Sequence, residues 1–222
     1  MMSIAWVCRQ MKTALSLQQV CRKWFFLRTG KQPLFMDIIP SNGYNNSMKI
    51  YLTRHGETVW NVKDWVQGMT DIPLNELGIR QAERLAEEMA GVHLDVIHTS
   101  QLQRAMVTGK AVADRHKDCR FEVNESLNEM NFGIYEGKVR TDAEYQSEKR
   151  KYFKRYEGGE SYLDVAARVY PFIEMLKQRN EDALVVAHNG ICRVFTNYFQ
   201  PMENEEFSSF TLGNCEVKTL EL

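Results

Sequence analysis

The chain has 222 residues, of which 44% are hydrophobic and 26% are charged, and its formal net charge is −1. These values are ordinary for a globular domain, and they leave no excess of positive charge to favour a nucleic acid as a partner. The five cysteines form no CxxC pair, and no apolar run approaches the roughly 18 residues of a membrane helix. We therefore expect free thiols, no structural zinc, a cytoplasmic location, and no nucleic-acid or membrane partner.

Residues 1–47 differ in charge from the rest of the chain. They hold six basic residues and one acidic residue, whereas residues 48–222 hold 22 basic and 28 acidic residues. Basic, acid-poor leaders can be organelle-targeting peptides, but a weakly ordered extension or a mis-assigned start before Met48 explains the composition as well. We favour the latter two, and we predict a basic extension over 1–47 and one catalytic domain over 48–222.

From Met48 onward, short apolar runs alternate with segments of helical periodicity. In chain order we predict a strand at 49–53, a helix at 76–90, a strand at 95–99, a helix at 102–116, a strand at 120–123, a charged helix at 142–156, a helix at 161–179, a strand at 183–187, a helix at 191–199 and an edge strand at 215–220. Asn75 should cap its helix, with Leu77 on the buried face, and Ser161 with Asp164 resembles a capping box.

Alternating strands and helices predict a mostly parallel sheet covered by helices on both faces. The expected fold class is therefore α/β, a three-layer α/β/α sandwich. In such sheets ligands bind beyond the carboxyl ends of the strands. The last strand would lie at an edge of the sheet, where it could pair with a second copy to form a homodimer.

Polar residues follow the predicted strands at their carboxyl ends. Arg54 and His55 follow the first strand, Arg104 lies in the first turn of the helix after the second, Glu129 follows the third, and His188 follows the apolar strand 183–187. Guanidinium forks, imidazole N–H groups and helix starts are the donors that a phosphate dianion prefers. The sequence therefore predicts a phosphate site at this edge.

The chain resembles the histidine phosphatase superfamily, also called the phosphoglycerate mutase-like family, over nearly all of 48–222. The matching stretches, in family order, are Thr53–Thr58 with Trp60–Asn61, Gln67–Gly68, Asp71–Asn75, Gly78–Ile79 with Gln81–Ala82, Ser100 with Leu102–Ala105, Glu129 with Gly133 and Glu136–Gly137, Gly158–Ser161, and Ala187–Gly190. Gln101 is a departure, because members usually carry Asp there. The resemblance leaves residues 1–47 unexplained and implies a phosphoglycerate mutase-like fold.

The resemblance also implies a role for each site residue. His55 would be the nucleophile that becomes phosphohistidine, and Glu129 would protonate the leaving oxygen and then activate water. The implied phosphate-binding residues are Arg54, Asn61, Arg104 and His188. The implied pocket-lining residues are Gly56, Gln67, Asn189 and Gly190. Fixed guanidinium groups can stabilise the charge of phosphoryl transfer, so we expect no metal and no other cofactor.

The expected reaction is hydrolysis of a small phosphorylated metabolite. Mutases of the family use a long insertion between the acid and the second histidine, whereas Glu129 and His188 are only 59 positions apart here. The chain therefore resembles the small phosphatase branch, with its α-ribazole phosphatases and broad phosphomonoesterases. A phosphoglycerate mutase and a non-catalytic phospholigand-binding module are the alternatives.

Several local interpretations stay open from the sequence. The carboxylates near Glu129 that could replace it as the acid are Glu57, Glu125 and Glu136. Asn61 and Gln67 could simply cap loops. The basic, aromatic run at 148–156 could be a gate that selects anionic or ring-bearing substrates, or a solvated helix with its aromatic face on the core, which we favour.

Overall fold

The computed structural model describes residues 48–221, so the expectations about residues 1–47 lie outside the described residues. Within this range the strands are β1 (Lys49–Arg54), β2 (Val96–Thr99), β3 (Arg120–Val123), β4 (Ala183–Ala187) and β5 (Val217–Glu221). They form one sheet in the order β3-β2-β4-β1-β5, in which only β5 is antiparallel to its neighbour. The predicted mostly parallel sheet with its last strand at an edge is confirmed.

Helices cover both faces of this sheet. They are α1 (Val59–Val62), α2 (Glu76–Met89), α3 (Gln103–Ala113), α4 (Ala143–Glu148), α5 (Tyr162–Arg179), α6 (Asn189–Phe199) and α7 (Asn204–Ser209), with short 3₁₀ turns at Glu125–Leu127 and Gly133–Tyr135. Apolar side chains of α2 and α3 pack on one face of β4, and those of α5 and α6 pack on the other. The three-layer α/β/α sandwich is therefore confirmed, and no helix within 48–221 has the length and hydropathy required to cross a bilayer.

The strand β4 lies at the centre of the sheet, and all five of its residues are buried. A parallel strand that is covered on both faces reads as a continuous apolar run, which explains why this segment shows no alternation. Its last residue, Ala187, pairs with Arg54 at the end of β1, and Val186 pairs with Thr99 at the end of β2. The register therefore brings the ends of three parallel strands to one level.

Two helix starts form as predicted. The Asn75 side chain accepts a hydrogen bond from the Gly78 amide at 2.7 Å, and Ser161 with Asp164 forms a complete capping box at α5. Leu77, however, does not lie on the buried face of α2, since 42% of it is exposed. Gly78 is buried instead, because the backbone of this first turn packs directly against the backbone of Glu57.

The predicted charged helix at 142–156 is wrong beyond its first turns. The helix α4 ends at Glu148, and turns follow. The Glu148 carboxylate accepts hydrogen bonds from both Lys151 and Lys154, which draws the chain into these turns instead of a straight continuation. Tyr152 and Tyr156 are nevertheless buried, so the aromatic side chains of this run do pack on the core.

Candidate active site

The sheet places His55 and His188 side by side. They follow the paired residues Arg54 and Ala187 on the neighbouring parallel strands β1 and β4, and the His55 amide donates to the Ala187 carbonyl at 3.0 Å. Both imidazoles are buried, and their ring centroids lie 5.0 Å apart. The two histidines predicted from separate motifs, 133 positions apart, thus share one site.

The His55 ring is held in one tautomer. Its Nδ1 lies 2.7 Å from the Gly56 carbonyl oxygen, which can only accept, so Nδ1 carries the hydrogen and Nε2 keeps a free lone pair. Burial, followed by the positive charges of Arg104 and Arg54, holds the pKa of His55 well below its usual value. The ring is therefore neutral at neutral pH, which a nucleophilic imidazole requires.

The His188 ring is oriented by Ser100, which the sequence analysis did not include among the site residues. The Ser100 Oγ accepts from the Leu102 amide at 3.2 Å and lies 2.7 Å from His188 Nε2. If the hydroxyl donates to Nε2, the hydrogen of the ring is on Nδ1, a buried atom without a hydrogen-bond partner in residues 48–221. Ser100 directly follows β2, so its position at a strand end was the available signal.

Two guanidinium groups lie beside these rings. Arg104 is fully buried and donates through Nη2 to the Gly68 carbonyl at 2.7 Å and through Nη1 to the Thr70 carbonyl at 3.0 Å. Burial lowers the pKa of Arg104 to about 10, and burial with the charge of Arg140 lowers that of Arg54, so both stay cationic near neutrality. Both Nε atoms are buried and unpaired among the described residues, which leaves donors for a ligand.

The carboxylate of Glu129 lies at the start of α6. It is only 5% exposed, and it accepts from the Met130 amide at 2.8 Å and from the Gly190 amide at 3.2 Å. A Cβ at position 190 would lie 2.6 Å from the Glu129 Oε1, so a larger residue there would displace the carboxylate from this position. The negative charge of Glu129 also opposes the lowering of the pKa of Arg54 and Arg104 by burial, so this carboxylate lies in the same electrostatic environment as both arginines.

The three rival carboxylates have other surroundings. Glu125 is exposed, and Glu57 accepts from the Asn75 side chain at 2.8 Å. Glu136 accepts from the amides of Met69 and Thr70, both at 2.8 Å, and thereby fixes the loop whose carbonyls hold Arg104. Glu129 is therefore the carboxylate that binds the start of α6 and whose charge acts on both Arg54 and Arg104, while Glu136 fixes the loop.

Arg168 fixes the segment that carries Glu129, and sequence reasoning missed it. From α5 it donates to the Ser126 carbonyl at 2.7 Å and to the Glu129 carbonyl at 3.3 Å, and it pairs with Glu160 at 3.0 Å. It lies 39 positions from Glu129 and in no strand-end motif, so only the packing of α5 against this turn reveals it.

Asn61 and Gln67 form a network with Thr58 at the start of α1. The Asn61 Oδ1 accepts from the Thr58 amide at 3.1 Å, and its Nδ2 lies 3.5 Å from Gln67 Oε1, which accepts from the Thr58 hydroxyl at 2.8 Å. The Nε2 of Gln67 is buried and unpaired within the described part of the chain. Capping is thus one role of Asn61, and its contact with phosphate stays a prediction.

Asn189 and Gly56 contact the protein backbone around the site. The Asn189 Oδ1 accepts from the Leu212 amide at 3.0 Å, and the Leu212 carbonyl in turn accepts from Arg54 Nη1 at 3.3 Å. Gly56 lies directly against the backbone of Gly78 in α2, where a side chain would clash. The structure therefore gives packing of two backbones as the reason for glycine at 56, and the lining of a ligand pocket by Gly56 or Asn189 stays a prediction.

Comparison with protein families matches residues 50–222 to the histidine phosphatase superfamily (branch 1). The chain belongs to this superfamily. It is accordingly an enzyme of the histidine phosphatase type, a phosphoric monoester hydrolase.

Individual relatives carry both phosphatase and mutase names. Phosphoserine phosphatase 1 of Hydrogenobacter thermophilus is 29% identical over 79% of this chain and 87% of its own. The 2,3-bisphosphoglycerate-dependent phosphoglycerate mutase of Methylorubrum populi is 32% identical over 74% of this chain and 84% of its own. The α-ribazole phosphatase of Shigella flexneri superposes with a TM-score of 0.67 at 28% identity, covering 78% of this chain and 89% of its own.

Proposed function

We propose that this histidine phosphatase hydrolyses small phosphomonoesters through a phosphohistidine formed on His55, without a metal ion. The observation that carries the proposal is the geometry of the two imidazoles, with rings 5.0 Å apart and the His55 Nδ1 bonded to the Gly56 carbonyl. His55 then offers a lone pair at Nε2. The neighbouring side chains hold buried donors that have no partner in residues 48–221 and would bind the oxygens of a phosphoryl group: His188 Nδ1 and the Nε atoms of Arg54 and Arg104.

In the first step, His55 Nε2 forms a bond to phosphorus while the ester P–O bond breaks, and Glu129 gives its proton to the leaving oxygen. In the second step, water transfers a proton to Glu129 and its oxygen attacks phosphorus, which breaks the N–P bond and releases phosphate. Negative charge spreads over the equatorial oxygens throughout, so fixed cations such as Arg54 and Arg104 stabilise both transition states.

The segment between Glu129 and His188 favours hydrolysis over mutase activity. It contains the six-residue helix α4, turns, α5 and β4, and its tyrosines at 145, 152 and 156 are buried in the core. Little chain is left to close over a bound product, so water can reach phosphohistidine, and transfer to water is expected to dominate.

The test is to trap the intermediate during turnover. The chain should hydrolyse p-nitrophenyl phosphate equally well with and without EDTA, and rapid denaturation during turnover should recover an acid-labile phosphoryl group on His55. Absence of this adduct, or strong loss of activity in EDTA, would contradict the proposal. Turnover in a coupled assay that interconverts the two phosphoglycerates, faster than phosphate release, would favour a mutase.

A further inference from the structure

The peptide group that joins Gly56 to Glu57 is hydrogen-bonded at both ends. Its carbonyl oxygen, on Gly56, lies 2.7 Å from His55 Nδ1, and its N–H, on Glu57, donates to the Gln81 Oε1 at 2.8 Å. A trans peptide group is planar, so its C=O and its N–H point in opposite directions and turn together. A side chain that fixes this N–H therefore also fixes the carbonyl that meets the His55 ring.

The preceding peptide group, which joins His55 to Gly56, is held by two other side chains. Its N–H donates to the Thr108 hydroxyl oxygen at 3.1 Å, and its carbonyl oxygen accepts from the Asn214 Nδ2 at 2.7 Å. Thr108 belongs to α3, and Asn214 lies before β5. These two bonds fix the first peptide group after the His55 ring, and they leave the second one to be held by Gln81.

The start of α2 brings Gln81 to this position. The Asn75 amide donates to the Glu57 carbonyl at 2.9 Å, and the backbone of Gly78 lies directly against that of Glu57. Gln81 follows Gly78 by three residues, and side chains on a helix point back towards its start, over the preceding turn. The partly buried Gln81 side chain therefore covers the turn on which Glu57 packs, and its Oε1 meets the Glu57 N–H.

This bond acts on the His55 ring in two ways. It keeps the Gly56 carbonyl directed at Nδ1, so the hydrogen of the ring stays there and the lone pair stays on Nε2. It also polarises the peptide group, because hydrogen bonds that share one amide strengthen each other. A more polarised carbonyl stabilises the positive charge that the ring gains when Nε2 forms a bond to phosphorus.

We propose that Gln81 is a positioning residue for phosphoryl transfer, which holds the peptide group between Gly56 and Glu57 so that His55 presents Nε2. The proposal rests on the phosphatase function proposed above and adds a residue that acts through the backbone. Because Gln81 bonds the end of the peptide group opposite to the ring, it affects bond formation at His55 and leaves the phosphate-binding side chains in place.

Replacement of the amide tests the bond. Gln81→Met has a side chain of similar length and helix propensity but no oxygen that accepts from Glu57. We expect phosphohistidine formation from p-nitrophenyl phosphate to slow about tenfold, the effect of one lost hydrogen bond, while the inhibition constant of inorganic phosphate changes by less than about threefold. Gln81→Glu keeps an acceptor and should retain most of the rate. Rapid-quench and competition measurements give the two quantities.

A control and a spectrum separate this role from a general loss of structure. Arg80→Met is the matched control, because Arg80 is an exposed neighbour in α2 and its replacement introduces the same side chain, so it should keep the wild-type rate. Heteronuclear NMR of the imidazole nitrogens reads the tautomer of His55 without turnover. The wild type and Arg80→Met should show the hydrogen on Nδ1, whereas Gln81→Met should show a mixture of both tautomers.

Several outcomes would overturn this role. They are a Gln81→Met protein with the wild-type rate, a lowered rate with an unchanged His55 spectrum, and equal losses in Gln81→Met and Gln81→Glu. If phosphohistidine still forms in those cases, the phosphatase function stands and only the role of Gln81 fails. If the wild-type protein forms no phosphohistidine, the phosphatase function fails, and the spectra alone decide whether Gln81 sets the tautomer.

Discussion

Three histidines are buried in the described part of this fold, two at the carboxyl edge of the sheet and one in its middle. His55 and His188 at the edge, and His98 within β2, all have a pKa that burial lowers, to about 4 in the case of His98. The edge histidines have polar partners in Gly56 and Ser100. The His98 ring packs edge-on against Phe172 at 5.2 Å, and neither of its nitrogens has a hydrogen-bond partner among the described residues, although Nδ1 lies 3.7 Å from a Glu122 carboxylate oxygen.

Burial alone gives a neutral imidazole but does not supply the neighbours that phosphoryl transfer requires. At the edge, hydrogen bonds to Gly56 and Ser100 orient the rings, and the charges of Arg54 and Arg104 act on both of them. In the middle of the sheet, helices cover both faces of the neighbouring strand. Burial lowers the pKa of all three histidines, whereas only the two edge rings have hydrogen-bond partners among the described residues. Variants can therefore separate the two regions by experiment.

The largest expected effect comes from removing the His55 imidazole at the edge of the sheet. His55→Asn should reduce hydrolysis of p-nitrophenyl phosphate by about 10³-fold or more, because it removes the atom that would bond to phosphorus. His98→Leu is the matched control, since it also removes a buried imidazole, and it should keep activity within a few-fold. Initial rates with both purified variants measure this, and equal losses in the two would contradict the distinction between edge and middle.

The next largest effect tests Glu129 as the proton donor. Glu129→Gln removes the proton donor but keeps the size of the side chain, so hydrolysis of an alkyl phosphate should fall about 10²- to 10⁴-fold. The loss in phosphohistidine formation should be smaller for p-nitrophenyl phosphate, whose leaving group needs no proton. Rapid-quench measurement of phosphoenzyme formation with both esters gives the comparison. Equal losses would argue against proton donation to the leaving oxygen.

A smaller effect concerns stability and the middle of the sheet. The pKa of His98 is about 4 in the folded protein against a usual 6.5, so below pH 6.5 the unfolded state binds more protons and stability falls as the pH falls towards 4. Between pH 7 and pH 5 this ring should remove about 2 kcal/mol from the free energy of unfolding.

The variant His98→Leu isolates that contribution, because His55 and His188 respond to pH in the same direction in both proteins. Urea unfolding at pH 7 and pH 5 should show a loss that is about 2 kcal/mol smaller in His98→Leu than in the wild type. The same loss in both would mean that His98 takes up no proton on unfolding.

The smallest effect tests how the edge histidine is oriented. Ser100→Ala removes the hydroxyl that lies 2.7 Å from His188 Nε2 and frees the ring to adopt the other tautomer. We expect kcat to fall about tenfold, the range of one lost hydrogen bond, and Ser100→Thr to restore much of it. Heteronuclear NMR of the imidazole nitrogens should show the change of tautomer at His188. An unchanged spectrum with lowered activity would contradict this role.

The sequence predicted which strand-end residues lie together better than it predicted the contacts that orient them. Strand ends are visible as apolar runs that stop at polar residues, so Arg54, His55 and His188 could be found. Arg168 could not, because its contact with the Glu129 carbonyl joins positions that are far apart and carry no shared pattern. The end of α4 at Glu148 was missed for a similar reason, since charge and periodicity at 142–156 fit a helix as well as the turns that ion pairs stabilise.

The sequence by itself determined the order of strands and helices, the parallel sheet and the family, because periodicity and the spacing of motifs are local properties of the chain. Only the tertiary structure decided that Glu129 binds the start of α6, that the His55 ring carries its hydrogen on Nδ1, and that Arg168 holds the segment of Glu129. Those outcomes depend on distances between segments, which the packing of helices on the sheet sets.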